Sequence, residues 1–251
     1  MIKITKGVII IKYVGSKNRL SKHLTPIIQS YITNETVGYL EPFVGGANMI
    51  DKIKCDNKIG YDVEENIINL LCALSDGWNP PKEVNEDMYK DVKLNPNKYD
   101  KQTYAYVGYQ LSYGAKFWGG YRRDSIGKRQ YDKEAYNNVT KQSPQLKGIE
   151  FDCMDFRDIP KDEIKGYVIY CDPPYRGTTK YKTEPFPYDE FYEWVKEMSI
   201  HNTVLISEYW MPDDFECIWQ KETTTQINSK RKANDENNMR VEKLFIYNPK
   251  C

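Results

Sequence analysis

The chain has 251 residues, with 36 Lys+Arg against 36 Asp+Glu, no formal net charge, 40% hydrophobic residues and 14% aromatic residues. That length buries a sizeable core in one large α/β domain or a core plus a smaller unit, and the composition excludes a disordered chain. Zero net charge argues against a protein that coats nucleic acid by charge alone, and no apolar run approaches the roughly 18 residues of a membrane helix.

In chain order, the apolar spacing of Leu20, Leu24, Ile27, Ile28, Tyr31 and Ile32 predicts a helix over 16–32, with Pro26 as a potential kink. Residues 39–43 read as a strand entering a glycine turn, 58–62 as a second strand and 64–74 as an amphipathic helix. This alternation is the pattern of a parallel sheet with crossover helices. It breaks at Asp76-Gly77-Trp78-Asn79-Pro80-Pro81, and the following stretch is polar, tyrosine-rich and mostly helical or irregular. The α/β pattern resumes with strands at 149–153 and 167–171, a helix over 187–198, a strand at 203–207 and a last strand at 243–247. The expected organisation is an α/β, Rossmann-like domain made of residues 1–75 and 149–251, interrupted by an inserted, mainly helical subdomain over 76–148.

The six cysteines include no C-x-x-C pair, and His23 and His201 are the only histidines. Zinc sites and Ser-His-Asp triads have little to draw on, so no metal is expected, and the thiols read as incidental in a reducing, intracellular compartment.

Two stretches carry chemistry. Glu41-Pro42-Phe43-Val44-Gly45-Gly46-Ala47-Asn48 follows a strand, and its small residues let the backbone approach a ligand. The next strand ends in Asp62, placed to accept from ribose hydroxyls or to cap the following helix. Asp172-Pro173-Pro174-Tyr175 follows the buried-strand run Tyr167–Cys171. Its two prolines fix the backbone and remove two N–H donors, which leaves the Asp172 carboxylate and the Pro173 carbonyl as acceptors beside a flat aromatic ring. Fixed acceptors beside a stacking surface suit the exocyclic amine of a planar base. Hydrogen bonds from that amine would free its lone pair for attack.

The order and spacing of Tyr13-Val14-Gly15-Ser16-Lys17, the glycine loop and Asp172-Pro173-Pro174-Tyr175 resemble the Dam-type DNA adenine methyltransferases, and more closely the phage adenine methylases. The resemblance covers nearly the whole chain. It implies an S-adenosylmethionine-dependent methyltransferase sheet whose insertion recognises the target, with S-adenosylhomocysteine as product. It also implies that Tyr13 and Lys17 contact the cofactor, that Phe43, Gly45 and Gly46 line its amino-acid end, and that Asp62 holds its ribose. Asp155 and Phe156 would flank its adenine ring, and Asp172 would lie between methyl donor and target amine. From the residues alone, Asp155 reads equally as a solvated loop acid.

A base inside a duplex must flip out to reach such a pocket. Between Ser112 and Lys147 eight basic residues stand against three acids, and Lys116, Trp118, Tyr121, Arg122, Arg123, Lys128 and Arg129 interleave base and aromatic there. That composition suits phosphate contacts plus base-edge or intercalating contacts. Lys230 and Arg231, in a polar hairpin-like stretch, are further candidates for phosphate. The expected partner is double-stranded DNA, in the cytoplasm of a bacterial or phage-infected cell, with a monomer or weak dimer and a companion restriction endonuclease compatible with it. Three alternatives stay open: the same chemistry on the cytosine N4 amine or on RNA, a DNA-binding protein of this fold without turnover, and, more distantly, a nicotinamide oxidoreductase, which would need a glycine fingerprint absent here.

Overall fold

The computed structural model describes residues 10–124, 126–176, 186–224 and 239–249. Among the described residues, seven strands form one sheet: β1 (Gly38–Glu41), β2 (Lys58–Asp62), β3 (Glu150–Cys153), β4 (Tyr167–Cys171), β5 (Thr203–Glu208), β6 (Glu216–Thr224) and β7 (Met239–Ile246). Their order is β3-β2-β1-β4-β5-β7-β6. The first five in that order are parallel, and β7 runs antiparallel to both β5 and β6. The chain is therefore α/β with a Rossmann-like sheet. Its order reverses between β1 and β4, which is where such sheets open a crevice beyond their C-terminal strand ends.

Alternation along each strand divides the core into two layers. Tyr39, Val168, Tyr170 and Leu205 face one side of the sheet. Leu40, Ile169, Cys171, Val204 and Ile206 face the other. The first side is covered by helices α1 (Asn18–Ser30) and α2 (Glu65–Ser75) and by α3 (Glu86–Leu94), α4 (Lys101–Gln110) and α5 (Tyr131–Leu146). The second is covered by α6 (Tyr188–Met198) and a 3-10 turn at Phe156–Asp158. Pro26 lies inside α1, which continues through it as one helix.

The expected elements recur with shifted ends. α1 is shorter than 16–32, and the last strand begins at Met239, not at 243, so Glu242 is a strand residue. β6 stands where the sequence reading places a late strand without bounds, ahead of the polar hairpin-like stretch. Its polar Gln-Lys-Glu-Thr-Thr end is tolerated because it is an edge strand. The N-cap of α2 is Glu64, whose carboxylate accepts from Asn66 N at 3.2 Å, and Asp62 is left for another role.

The inserted helices share one apolar cluster with the sheet. Val84, Tyr89, Val92, Tyr106, Val107, Ala135 and Val139 join Ile67, Leu70 and Leu71 of α2 in it. Two buried glutamines of the insert also tie down the chain's start. Gln110 Oε1 accepts from Lys12 N at 2.8 Å, and Gln110 Nε2 donates to Lys12 O at 3.2 Å. Gln142 Oε1 accepts from Ile11 N at 2.7 Å, while its Nε2 donates to Gly46 O at 3.2 Å and Ala47 O at 3.1 Å. The insert thus fixes both the entry segment and the glycine loop. Among the described residues, no helix is long and apolar enough to cross a membrane.

Gln142→Leu strands one buried N–H and two carbonyls, so a loss of about 2–4 kcal/mol is expected. For a chain of this size that lowers the melting temperature by roughly 5–10 °C in a calorimetric scan. An unchanged melting temperature would contradict the fastening role.

Candidate active site

Every expected cofactor-side residue that the sheet carries lies at or just beyond a C-terminal strand end. β1 leads through Glu41 into the glycine loop. Val44 N donates to Tyr61 O at 2.8 Å, which docks the loop on β2. Gly45 then turns with φ +48°, and its N–H donates to Asp62 Oδ2 at 2.9 Å. Tyr13 lies against this turn. A Cβ at Gly45 would sit 2.8 Å from its ring, and one at Gly46 would sit 2.7 Å from Asn48 Nδ2 and 3.1 Å from Ile11 O. Both glycines are therefore required by close approach. Tyr13 also packs on Tyr109 of α4, with ring centroids 5.6 Å apart.

Asp62 is 8% exposed. Its second oxygen accepts from Glu64 N at 3.1 Å. Burial pushes its carboxyl up to about 6, against the pull of the Glu64 and Gly45 N–H groups. A carboxylate offers about four lone-pair directions, so two N–H donors leave capacity for a diol.

The apolar wall is Phe43 against Phe156, with centroids 5.8 Å apart and both rings meeting Phe186 and Phe191. Phe156 is 2% exposed, so its ring is mostly committed to this cluster. Asp155 caps the turn at Phe156–Asp158 by accepting from Arg157 N, and the Arg157 guanidinium clasps both its oxygens at 2.9 and 3.0 Å. Those bonds hold its carboxyl below the usual carboxylate range.

Asp172 stands just past β4, beside the loop from β1. Lys17, at the start of α1, places Nζ 3.1 Å from Asp172 Oδ1. The two side chains are 10% and 20% exposed. Burial raises the Asp172 carboxyl to about 6, partly offset by Lys17 and reinforced by Glu242. Burial would lower the Lys17 ammonium, but Asp172 and Glu242 together carry it above its ordinary value. Glu41, 3% exposed and hydrogen-bonded by Tyr39 Oη at 2.7 Å, is pushed well up by burial and is a neutral-leaning acid beneath the crevice.

Tyr175 is 8% exposed. One face of its ring carries the Lys17 ammonium at 4.1 Å, Tyr209 meets it edge-on at 4.6 Å, and its hydroxyl donates to Glu242 Oε2 at 3.0 Å. The ring expected from sequence as a stacking surface is buried, with Lys17 over one face. The Asp172–Tyr175 turn is held from two sides. Tyr188 Oη donates to Pro174 O at 2.9 Å, and Glu208, buried at the end of β5, accepts from Arg176 N at 2.6 Å and from Tyr209 N.

The candidate DNA contacts divide. Lys116, Lys128 and Arg129 are exposed, and the backbone N–H groups of the last two are gathered by Asp124 Oδ2 at 2.7 and 2.8 Å. Arg123 is exposed but forks onto Glu86 at 2.8 and 2.5 Å. Arg122 is drawn inward, 3.3 Å from Glu134 and 4.0 Å from the Tyr131 ring centroid. Trp118 is half-buried among Tyr89, Tyr104 and Phe117, and Tyr121 Oη donates to Val84 O at 2.8 Å. These two rings serve the packing of the insert. Lys230 and Arg231 lie outside the described residues. Among the described residues there is no group of three or more His, Cys, Asp or Glu side chains that could hold a metal ion.

Sequence reasoning missed Glu242, Glu208, Tyr209, Gln110 and Gln142. Only Glu242 leaves a trace, as an acid two residues before the apolar strand end Leu244-Phe245-Ile246.

Comparison with known proteins supplies the remaining observations. No curated protein matches the chain in sequence. One solved structure similar to it is "SMU.472, a putative methyltransferase complexed with SAH", at 11% identity and a TM-score of 0.40 over 94% of this chain and 54% of that one. The present chain thus spans about half the length of that structure. The family model for D12 class N6 adenine-specific DNA methyltransferases matches residues 13–234, from Tyr13 through the glycine loop, the insert and the Asp-Pro-Pro-Tyr turn, and the chain belongs to that family.

Proposed function

We propose that this chain transfers the methyl group of S-adenosylmethionine to the exocyclic N6 amine of an adenine in double-stranded DNA, releasing S-adenosylhomocysteine and the proton that the nitrogen loses. The observation that carries this is the placement of Asp172, a partly buried carboxylate held by Lys17, beside a glycine loop that is itself bound to the buried Asp62. The residues fit the cofactor. Asp62 has acceptor capacity for the ribose hydroxyls, Gly45 and Gly46 leave the backbone bare of Cβ atoms, and Phe43 adds a half-buried apolar ring. Tyr13 lies against the same loop, and Lys17 is paired with Asp172. Asp155, clasped by Arg157, and Phe156, buried, act chiefly by shaping the wall near the adenine end.

Bound S-adenosylmethionine supplies an electrophilic methyl on a sulfonium. The protein supplies position and charge. Asp172 and the Pro173 carbonyl accept the two hydrogens of the amine, which frees its lone pair and stabilises the positive charge that develops on nitrogen. Pro173 and Pro174 keep the backbone from presenting competing donors there. Because Tyr175 is 8% exposed with the Lys17 ammonium over its ring, a flipped base reaches that face only as Lys17 moves aside.

Residues 76–148 serve as the target-recognition part. Lys116, Lys128 and Arg129 are free in geometry to meet phosphate, and Arg123 reaches it by exchanging Glu86 for a phosphate oxygen. Trp118 and Tyr121 contribute by bracing the insert. This function places the enzyme in the cytoplasm of a bacterial or phage-infected cell.

The direct test is incubation with diverse unmethylated DNA and labelled S-adenosylmethionine, followed by digestion to nucleosides. Label in N6-methyldeoxyadenosine is expected, and label in N4-methyldeoxycytidine would instead establish the cytosine alternative. Asp172→Ala should lower kcat by at least about a hundredfold, as for loss of a transition-state acceptor. Asp62→Ala should chiefly weaken cofactor binding in calorimetry, and normal affinity would remove it from the ribose site.

Both Asp172 and Asp62 titrate near 6 and act as carboxylates, so activity is full above that pH and lost below it. The acid limb of kcat/KM for the cofactor should therefore fall with a slope approaching 2 per pH unit, and Asp62→Asn should reduce it to about 1. A slope of 1 in the wild type would contradict the joint requirement.

A further inference from the structure

We infer that Glu242, on the antiparallel strand β7, is a positioning residue for methyl transfer: it holds the Tyr175 ring and draws the Lys17 ammonium to one side of Asp172. This rests on the assignment of Asp172 as the amine's acceptor. Glu242 Oε2 takes the Tyr175 hydroxyl at 3.0 Å and lies 3.8 Å from Lys17 Nζ. Lys17 Nζ in turn lies 3.1 Å from Asp172 Oδ1 and over the Tyr175 ring. One carboxylate therefore sets two groups that border the reacting centre. The Glu242 side chain is 13% exposed, so water screens these contacts weakly.

The strand's alternation supports a built second layer. Arg240, two residues before Glu242, is on the same face of β7. Its Nη1 donates to Tyr209 Oη at 3.2 Å, and its guanidinium lies over the Tyr209 ring. Tyr209 is the ring that meets Tyr175 edge-on. Tyr175 is thus held at its hydroxyl by Glu242, with Asp172 also bonded to its side chain, and along its side by a ring that Arg240 holds. A stacking tyrosine needs no hydroxyl partner to be flat, so the anchor determines where the ring sits.

Charge agrees with this role. With Lys17, Asp172 and Glu242 ionised, the cluster carries a net −1. The groups facing Asp172 are Lys17 from α1, Glu41 from β1, Tyr170 and Tyr175 from β4 and its turn, and Glu242 from β7. Without Glu242, Asp172 is the carboxylate left within 4 Å of Lys17 Nζ among the described residues, and Lys17 competes with the substrate amine for it.

The test measures single-turnover rate and S-adenosylhomocysteine affinity for wild type, Glu242→Gln, Glu242→Ala, Tyr175→Phe and the Tyr175→Phe/Glu242→Ala pair. Glu242→Gln, which keeps an acceptor for Tyr175 but no pull on Lys17, should slow turnover about tenfold, and Glu242→Ala should slow it more. Both should bind the product within about threefold of wild type. The paired variant should lose at least about fivefold less than the product of the single losses. Glu242→Ala within twofold of wild type, additive losses, or cofactor affinity falling in step with rate would each overturn the inference. Crystals of Glu242→Ala give a readout independent of turnover. The Tyr175 ring and Lys17 Nζ should shift from their positions here, and an unmoved pair would overturn positioning. Loss of all activity in the wild type, or full activity in Asp172→Ala, would instead fault the underlying assignment.

Discussion

The whole site depends on the parallel pairing of β1 with β4. Gly38, Tyr39 and Leu40 lie opposite Tyr167, Val168 and Ile169, so the two strands run in step and end together. Their crossovers leave in opposite directions, which opens a crevice beyond their C-terminal ends. The β1 end opens into the glycine loop and the β4 end into Asp172. A shift of one residue would turn every core side chain of either strand to the wrong layer, so the register is secured by burial on both faces. The juxtaposition of a cofactor loop with an acceptor turn thus follows from core packing.

Two features then tune that crevice. The first is fastening from outside it. Gln110 and Gln142 reach from the inserted helices to the backbone of residues 11, 12, 46 and 47, so the segment that recognises DNA in our proposal also holds the loop that meets the cofactor. The second is desolvation. Asp62 and Asp172 are both pushed up to about 6, one held ionised by N–H donors and the other by an ammonium. Carboxylates poised so near neutrality accept hydrogen bonds strongly, which suits one to a diol and the other to an amine whose charge is growing.

Much of this was legible in the sequence, and the boundary is instructive. β1, β2 and β4 are apolar runs closed by turn residues, and they were readable because burial on both faces leaves no polar alternation to confuse them. Asp62 and Asp172 were readable because each sits where such a run stops. The bounds of β6 were not, because an edge strand tolerates the polar residues that disguise it. Gln110 and Gln142 have no signature at all, since a single glutamine in a polar segment acquires its meaning only when distant backbone arrives beside it. Glu242 meets Lys17 and Tyr175 across the whole chain, a contact that only the antiparallel return of β7 creates. The aromatic-basic run around Trp118 was readable as a composition, but its rings turned out to pack the insert, because large aromatics in a small helical unit are needed first for its core. The initial puzzle of zero net charge also resolves there, since the exposed Lys116, Lys128 and Arg129 concentrate positive charge locally within a balanced chain.

The central claim is that cofactor and substrate amine meet where β1 and β4 end. It is tested most directly by a crystal structure with S-adenosylhomocysteine. The account predicts ribose hydroxyls on the Asp62 carboxylate, the amino-acid end along Gly45 and Gly46, and the sulfur on the side facing Asp172. Product bound with its ribose away from Asp62, or with its sulfur turned from Asp172, would contradict it.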